Sequence, residues 1–199
     1  MRLFLFIVIL IMGRSASAHL TSDVNFATGL TSLSISSAGN KINLTSMNTL
    51  QFSYNLNNPA WMASLNLEFL ETLSSNQGPM AWSRFGFGAK YYPSGFNSQR
   101  VIFDNRVEGM FWRPAPYVGW GLGLSSLSVS NIGGLSGYLN ASVADLILKA
   151  GAEVVLTTSL FLTGEVNMIT GLSSKGSRTN YDISYSGLGV YMGLKISSF

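Results

Sequence analysis

The sequence predicts an all-β protein, an eight-stranded antiparallel up-and-down β-barrel that crosses a membrane with its strands. Three observations point to this fold class. Several segments alternate apolar and polar side chains with a period of two, as a strand with one apolar face does. Charged residues make up only 11% of the chain, whereas a soluble domain carries about 25%. Glycine, with 21 residues, falls on the polar faces of several segments, where a narrow interior needs small side chains.

The first eighteen residues have the form of a secretory signal peptide. A basic start precedes an apolar run over residues 3–12, and residues 16–18 form a small-residue cleavage site. The alternative, a membrane anchor helix, needs roughly 20 apolar residues, and Arg14 ends the run before that length. We therefore expect cleavage after Ala18 and one barrel domain over residues 19–199.

The charge and cysteine content exclude several classes of function. Of the twelve basic residues, Arg2 and Arg14 lie in the signal peptide, so ten basic and nine acidic residues remain in the mature chain. No dense stripe of lysine and arginine is present, and nucleic acid is therefore not an expected partner. The sequence has no cysteine, which excludes a lipid anchor after the signal peptide and a disulfide framework.

The best candidate for a membrane helix in the mature chain is better interpreted as a hairpin. Residues 144–162 contain Asp145, Lys149 and Glu153, and each charge at the centre of a membrane helix costs about 2.5–3.5 kcal/mol. With a period of two, the even-numbered residues from 146 to 156 form an apolar face, and Lys149 and Glu153 fall on the opposite face. The pattern resumes after a turn at 157–159.

The same alternation recurs along the rest of the chain. A turn signal at residues 57–59 separates two of the alternating segments. The first segment changes phase near Ser32, which predicts a bulge or a passage out of the bilayer. The predicted strands are 24–35, 50–56, 61–69, 84–91, 117–124, 146–156, 160–168 and 187–196.

A ninth extended candidate, residues 99–113, is predicted to lie outside the barrel. Single-chain bacterial barrels have an even number of strands, with short turns on the periplasmic side and longer loops outside. The turns at 57–59 and 157–159 fall on one side only if this candidate is not a membrane strand. We therefore assign residues 94–113 to a periplasmic connection that forms a loop, a short helix or strands. The expected outward loops are residues 37–48, 73–81, 131–141 and 171–181.

Two sets of side chains are candidate sites in this arrangement. Aromatic residues near predicted strand ends suit the headgroup zone of a membrane. Charged residues on the inward faces must largely pair with one another, because unpaired buried charge is costly. The expected aromatic girdle is Trp61, Trp82, Tyr91, Tyr92, Tyr117 and Tyr181. The expected ion-pair network of the lumen is Glu68, Arg84, Lys90, Lys149, Glu153, Glu165 and Lys195.

From Ser22 to Phe199, the chain resembles the small eight-stranded outer-membrane barrels of the OmpA and OmpW type. The resemblance rests on the alternation and on segments such as 87–93, 116–123 and 150–154. It implies an outer-membrane location in a Gram-negative bacterium, with membrane lipid as surroundings and with the barrel-assembly machinery and periplasmic chaperones as partners during biogenesis. Phe199 is similar to the terminal assembly signal of such barrels, although it lies on the opposite parity from Leu194 and Ile196.

Catalytic, cofactor and metal sites are not expected in this sequence. Barrel enzymes that act on lipids activate a serine or a water molecule through histidine. The single histidine, His19, lies at the expected mature N-terminus, outside every predicted strand. No histidine or carboxylate group has metal-ligand spacing, and no cofactor motif is present.

The sequence therefore favours a non-catalytic outer-membrane barrel with an envelope-structural or surface-interaction role and a lumen filled by side chains. A small pore or transporter for modest solutes is the first alternative. A soluble lipocalin-like binding barrel would also alternate, but with its apolar side chains inside. A lipid-modifying barrel enzyme is the third alternative. Low charge, glycine on the polar faces and a terminal aromatic residue favour the membrane barrel.

Overall fold

The computed structural model describes residues 20–37, 40–74, 80–96, 114–132, 135–157, 159–172, 174–175 and 182–198. The predicted cleavage site at Ala18, most of the predicted periplasmic connection (residues 97–113), Tyr181 and Phe199 lie outside these ranges. Across the described part of the chain, no helix is long and apolar enough to cross a membrane.

The described residues form nine strands and one short 3₁₀ turn. A single turn of 3₁₀ helix, Pro59–Trp61, connects the second and third strands. The strands are β1 (Thr21–Ser37), β2 (Asn40–Asn58), β3 (Ala63–Ser74), β4 (Met80–Tyr91), β5 (Ala115–Ile132), β6 (Leu135–Val155), β7 (Leu160–Gly171), β8 (Ser174–Lys175) and β9 (Asp182–Ser198).

Eight of these strands close into a barrel. Each long strand pairs antiparallel with the next along the chain, β7 pairs with β9, and β9 pairs with β1 from Ser22–Ser198 to Ser37–Ile183. The two-residue β8 pairs with β9 beyond the end of β7 and adds no further strand to the barrel wall. The predicted eight-stranded antiparallel up-and-down barrel is therefore confirmed, and the backbone groups along the β1–β9 seam find partners that an open sheet would lack.

Along most of the barrel height, apolar side chains face outward and polar side chains face inward. On β7, burial alternates residue by residue, with Asn167 inside and Met168 outside. Many large apolar side chains are consequently exposed on the outer wall. Examples are Phe26, Leu67, Phe87, Trp120, Val166, Leu188 and Met192, which are 44–65% exposed. An outward apolar band around a polar interior is the arrangement of barrels that face lipid.

Near the end of the barrel that carries the long β1–β2 and β5–β6 hairpins, this polarity reverses. Inward positions there are apolar, as with Leu33 and Ile35 on β1, and the outward positions beside them are serines 32 and 34. An apolar interior with a polar exterior is what a strand needs once it has left lipid for water. The strands thus continue beyond the apolar band and keep their inward and outward parity.

Two of the expected outward loops are largely wrong, because the strands continue into them. Residues 40–48 and 135–141 are strand rather than loop, because β2 begins at Asn40 and β6 begins at Leu135. Their serines, asparagines and threonines suit a strand exposed to water as well as a loop. The phase change near Ser32 coincides with a register shift between Thr31 and Leu33 in the pairing of β1 with β2.

Both tight turns lie at the opposite end of the barrel. Pro59 begins the 3₁₀ turn, and Met62 ends it with a left-handed backbone (φ 51°). The amides of Leu156 and Thr157 both donate to the carbonyl of Leu160 and close the β6–β7 turn. After β4, residues 92–96 turn beneath the barrel, where Tyr92 N–H donates to the carbonyl of Met62. We refer to these two ends as the turn end and the hairpin end.

Candidate functional site in the barrel interior

The interior of the barrel holds nine buried charged side chains among the described residues. All seven residues of the expected lumenal set point inward and are 1–5% exposed. Asp23 and Asp145 lie beside them at 2% and 1% exposure. The described interior therefore contains five carboxylates and four cations, which form three clusters along the barrel axis.

The first cluster lies toward the hairpin end and is built around Arg84. Its Nε donates to Oδ1 of Asp145 at 2.6 Å, and its Nη1 lies 3.8 Å from Oε1 of Glu68. Lys149 forms an ion pair with the second oxygen of Glu68. Tyr185 donates its hydroxyl to Oδ2 of Asp145 at 2.8 Å. Both carboxylates therefore contact a cation and have further partners.

Glycine makes room for this arginine. A Cβ at Gly86 would lie 2.7 Å from Nη1 of Arg84, and a Cβ at Gly123 would lie 2.7 Å from its Nη2. A backbone carbonyl oxygen lies as near at each position, that of Leu122 at 2.7 Å and that of Phe85 at 2.8 Å, so a larger residue would have to displace the backbone as well as the guanidinium. Glycine at these two positions of β4 and β5 therefore allows the close packing around the arginine.

The second cluster joins Lys90 and Glu165 in the middle of the barrel. Lys90 Nζ lies 3.0 Å from Oε2 of Glu165 and 4.5 Å from the centre of the Tyr117 ring. Tyr117 donates its hydroxyl to the same carboxylate oxygen at 2.8 Å, and Gln51 donates to the other oxygen at 2.8 Å. Both oxygens of the Glu165 carboxylate therefore accept from side chains, and these come from β2, β4 and β5.

The third cluster lies at the turn end around Lys195. Its Nζ lies 2.5 Å from Oε2 of Glu153 and 3.5 Å from Oδ2 of Asp23. Asp23 also accepts hydrogen bonds from the amides of Asn55 and Asn57. This cluster bridges β1, β2, β6 and β9, so it ties the first strand of the barrel to the last.

Tyr92 completes the third cluster from outside the strands. It donates its hydroxyl to Oε1 of Glu153 at 2.7 Å. Burial, together with the charge of Glu153, raises the pKa of the Tyr92 hydroxyl well above its ordinary value. The hydroxyl therefore stays protonated and remains a donor at neutral pH.

Apolar side chains occupy the interior beyond the charged clusters at both ends. At the turn end, Tyr92 packs against Phe96 and Tyr117, with ring centres 4.3 and 5.3 Å apart. At the hairpin end, inward side chains of all eight long strands form a buried apolar cluster. It contains Ala27, Leu33, Ile35, Met47, Leu70, Trp82, Leu127, Ala141, Val143, Ile147, Ile169, Ile183, Tyr185 and Tyr191.

Half of the expected aromatic girdle is wrong. Trp82, Tyr92 and Tyr117 are 0–2% exposed and belong to the interior. Trp82 lies beyond the apolar band, where inward positions are apolar. Tyr92 and Tyr117 are amphipathic enough to bury their rings while their hydroxyls reach carboxylates. Trp61 and Tyr91 are 41% and 50% exposed near the turn end.

Asp23 and Asp145 are the charged interior residues that the sequence analysis missed. Asp145 shares its parity with Lys149, and Asp23 shares its parity with Asn25, so alternation alone could have found both. Each lies one residue before a predicted strand, so the predicted strand faces do not include it. Across the described ranges, no three histidine or carboxylate side chains are grouped as metal ligands.

No family model matches the chain. No curated protein matches it either. Among solved structures, Neisserial surface protein A superposes with a TM-score of 0.56 over 89% of this chain and 98% of that protein, at 14% sequence identity. The chain has the fold of a small outer-membrane β-barrel.

Two further structures share this outer-membrane barrel fold. A major outer membrane protein of Thermus thermophilus superposes with a TM-score of 0.50, 12% identity and coverage of 90% of this chain and 100% of that one. The outer membrane protease OmpT of Escherichia coli superposes with a TM-score of 0.52, 8% identity and coverage of 89% and 97%. Because a protease is among the similar structures, this fold does not by itself decide for or against catalysis.

Proposed function

We propose that the protein is a non-catalytic integral protein of the outer membrane of a Gram-negative bacterium, with an envelope-structural or surface-interaction role. One observation carries this proposal: side chains occupy the interior at every level, from the aromatic cluster at the turn end, through the charged clusters, to the apolar cluster at the hairpin end. An eight-stranded barrel is narrow enough for side chains to fill it. Solute passage would require several of these contacts to break.

The pairing of the charges also supports a structural role for the interior. A pore for ions needs charged groups that face a continuous water path. Here Glu68, Asp145 and Glu153 contact cations inside the barrel, and apolar side chains lie beyond the charged clusters toward both ends. We infer that the network fixes strand register and stabilises the closed barrel.

The absence of catalysis is proposed from the same chemistry. The described carboxylates of the interior are engaged in ion pairs and in hydrogen bonds from amide or hydroxyl donors, which supports a structural role for them. The single histidine of the sequence, His19, lies before β1. Overexpression should accordingly leave the masses of the membrane lipids unchanged.

The proposal predicts a closed barrel that does not conduct. In fractionated membranes, the unboiled protein should run as a compact fast band in the outer-membrane fraction and shift on boiling. In planar bilayers, the same material should give no stable single-channel conductance. A soluble periplasmic protein without the shift would support a lipocalin-like binder, and reproducible conductance would support the small pore.

The short turns at the turn end indicate the orientation of the barrel in the membrane, because outer-membrane barrels have their short turns on the periplasmic side. We propose that this end faces the periplasm, that export uses a signal peptide cleaved after Ala18, and that residues 94–113 form a periplasmic connection. Membrane lipid, periplasmic chaperones and the barrel-assembly machinery are the proposed partners, with Phe199 as the assembly signal.

Protease accessibility tests this orientation. Trypsin should cut between Arg100 and Arg113 in permeabilised cells and leave this segment intact in whole cells. A soluble periplasmic protein serves as the control, and it should be cut only where the outer membrane has been breached. Cleavage of the segment in whole cells would invert the proposed topology.

A further inference from the structure

A short strap, residues 92–96, follows β4 and folds under the barrel at the turn end. Tyr92 and Phe96 are each 1% exposed and bury their rings against Tyr117 or each other. Pro93 and Ser94, which lie between them in the sequence, are exposed. The strap therefore has an aromatic inner face and an outer face in contact with solvent.

The inner face of the strap covers the third charged cluster. Tyr92 donates its hydroxyl to Glu153, which forms an ion pair with Lys195. Ser64, an inward residue near the start of β3, is 1% exposed beside this cluster. The aromatic rings thus form the part of the closure at the turn end that the strands themselves do not supply.

The strap is attached differently from the strands of the wall. Each strand of the barrel pairs with two neighbours along a ladder of backbone hydrogen bonds, whereas residues 92–96 belong to no strand. The amide of Tyr92 donates to the carbonyl of Met62, and its hydroxyl donates to Glu153. Displacement of the strap would break these bonds and the ring contacts but would leave the ladders between strands intact.

The strap also contains its own turn. Gly95 N–H donates to the carbonyl of Tyr92 at 3.0 Å. Gly95 has a left-handed backbone (φ 76°), which glycine adopts without strain. The turn brings Phe96 back onto the ring of Tyr92, with ring centres 4.3 Å apart. Because these contacts are local, the two rings can move together as one unit.

We propose that the strap is a lid that closes the charged interior at the turn end and opens without separation of the strands. The inference rests on the proposed orientation, by which the lid faces the periplasm. When the lid opens, water replaces the Tyr92 hydroxyl as a donor to Glu153. The apolar cluster at the hairpin end stays in place, so the open lid admits water and small polar molecules from one side and creates no path across the membrane.

Cysteine accessibility tests the lid, because the sequence has no cysteine of its own. The probe is Ser64→Cys on the inner wall, and the reagent is the small cation 2-(trimethylammonium)ethyl methanethiosulfonate. The refolded barrel is treated in detergent micelles, and the rate of modification is followed by mass spectrometry. Ser64→Cys should react far more slowly than Thr157→Cys, which lies at an exposed position in the β6–β7 turn.

Substitutions in the lid should accelerate modification of Ser64→Cys. Tyr92→Phe keeps the ring but loses the hydrogen bond to Glu153, so modification should become about tenfold faster when the open state is the reactive one. Tyr92→Ala also removes the ring and should give a larger acceleration. The matched control Tyr91→Ala truncates the neighbouring tyrosine, which is 50% exposed on the outer wall, and should leave the rate unchanged.

Several results would overturn the lid. Modification of Ser64→Cys as fast as that of Thr157→Cys, with the native strap, would show that the interior is open. Equal rates in the Tyr92→Ala and Tyr91→Ala backgrounds would show that the strap does not control access. If Tyr92→Ala accelerates modification of Ala141→Cys, in the apolar cluster of the hairpin end, as much as that of Ser64→Cys, the whole barrel opens and not the lid.

The failure of the lid and the failure of the proposed function give different results. Boiled and unboiled samples of every variant are compared on gels. Loss of the compact band in the wild type would refute the membrane barrel itself, whereas a compact band with unchanged cysteine reactivity in Tyr92→Ala would refute only the lid.

Discussion

Replacement of Arg84 by methionine is expected to destabilise the folded barrel by about 3–5 kcal/mol, the usual cost of leaving a buried charge without its partner. Arg84 is 1% exposed and contacts both Asp145 and Glu68. Methionine fills much of the volume but leaves Asp145 without a cation. The free energy of unfolding is measured by urea titration of the barrel in lipid vesicles, with the heat-modifiable band as the readout.

A second substitution separates charge from packing. The double variant Arg84→Met with Asp145→Asn removes the unpaired carboxylate and should lose less stability than Arg84→Met alone. Glu71→Gln is the matched control, because Glu71 is an exposed outward residue and its change should stay within about 0.5 kcal/mol. Equal losses in the single and double variants would show that the arginine acts through its volume and not through its charge.

Truncation of Trp82 to alanine is expected to cost about 3–5 kcal/mol, the range for large aromatic residues in packed interiors. Trp82 is fully buried in the apolar cluster of the hairpin end. The cavity also loosens the apolar cluster that separates Arg84 from the hairpin end. Conductance in planar bilayers is therefore recorded together with urea unfolding.

The control for Trp82 is the same truncation on the outer wall. Trp120 is 45% exposed within the apolar band, where lipid can fill the space that its side chain leaves. Trp120→Ala should therefore cost less than Trp82→Ala. If the two variants unfold at the same urea concentration, the hairpin end is not a packed core and the inward placement of Trp82 is wrong.

Alternation predicts the strands because successive side chains of a strand point to opposite sides of the barrel wall, and the two sides have different environments. Parity alone predicts that Lys149 and Glu153 face inward, and the structure has both side chains inside. The distances between charges could not be predicted, because they depend on barrel closure. Asp23 and Lys195 form an ion pair because β1 pairs with β9. That pairing joins strands that are far apart in the sequence, so a pattern within one segment cannot predict it.

The two misassigned loops and the misassigned Trp82 have one physical cause. Parity distinguishes the two faces of a strand, but it does not say where along the strand lipid gives way to water. Leu33 and Trp82 are apolar and inward because they lie beyond the apolar band, where the preferred polarity is reversed. An aromatic residue near a predicted strand end is therefore compatible with a girdle or with an interior core, and its parity must decide between them.

The seam between the first and last strands also constrains the timing of folding. Ser22 pairs with Ser198, so the ladder that closes the wall joins the first and the last of the eight long strands. Contacts of such large sequence separation form late, since the whole intervening chain must be ordered first. Until β9 pairs with it, β1 carries unsatisfied backbone groups along its edge and an apolar face, and both favour association with other chains over correct closure.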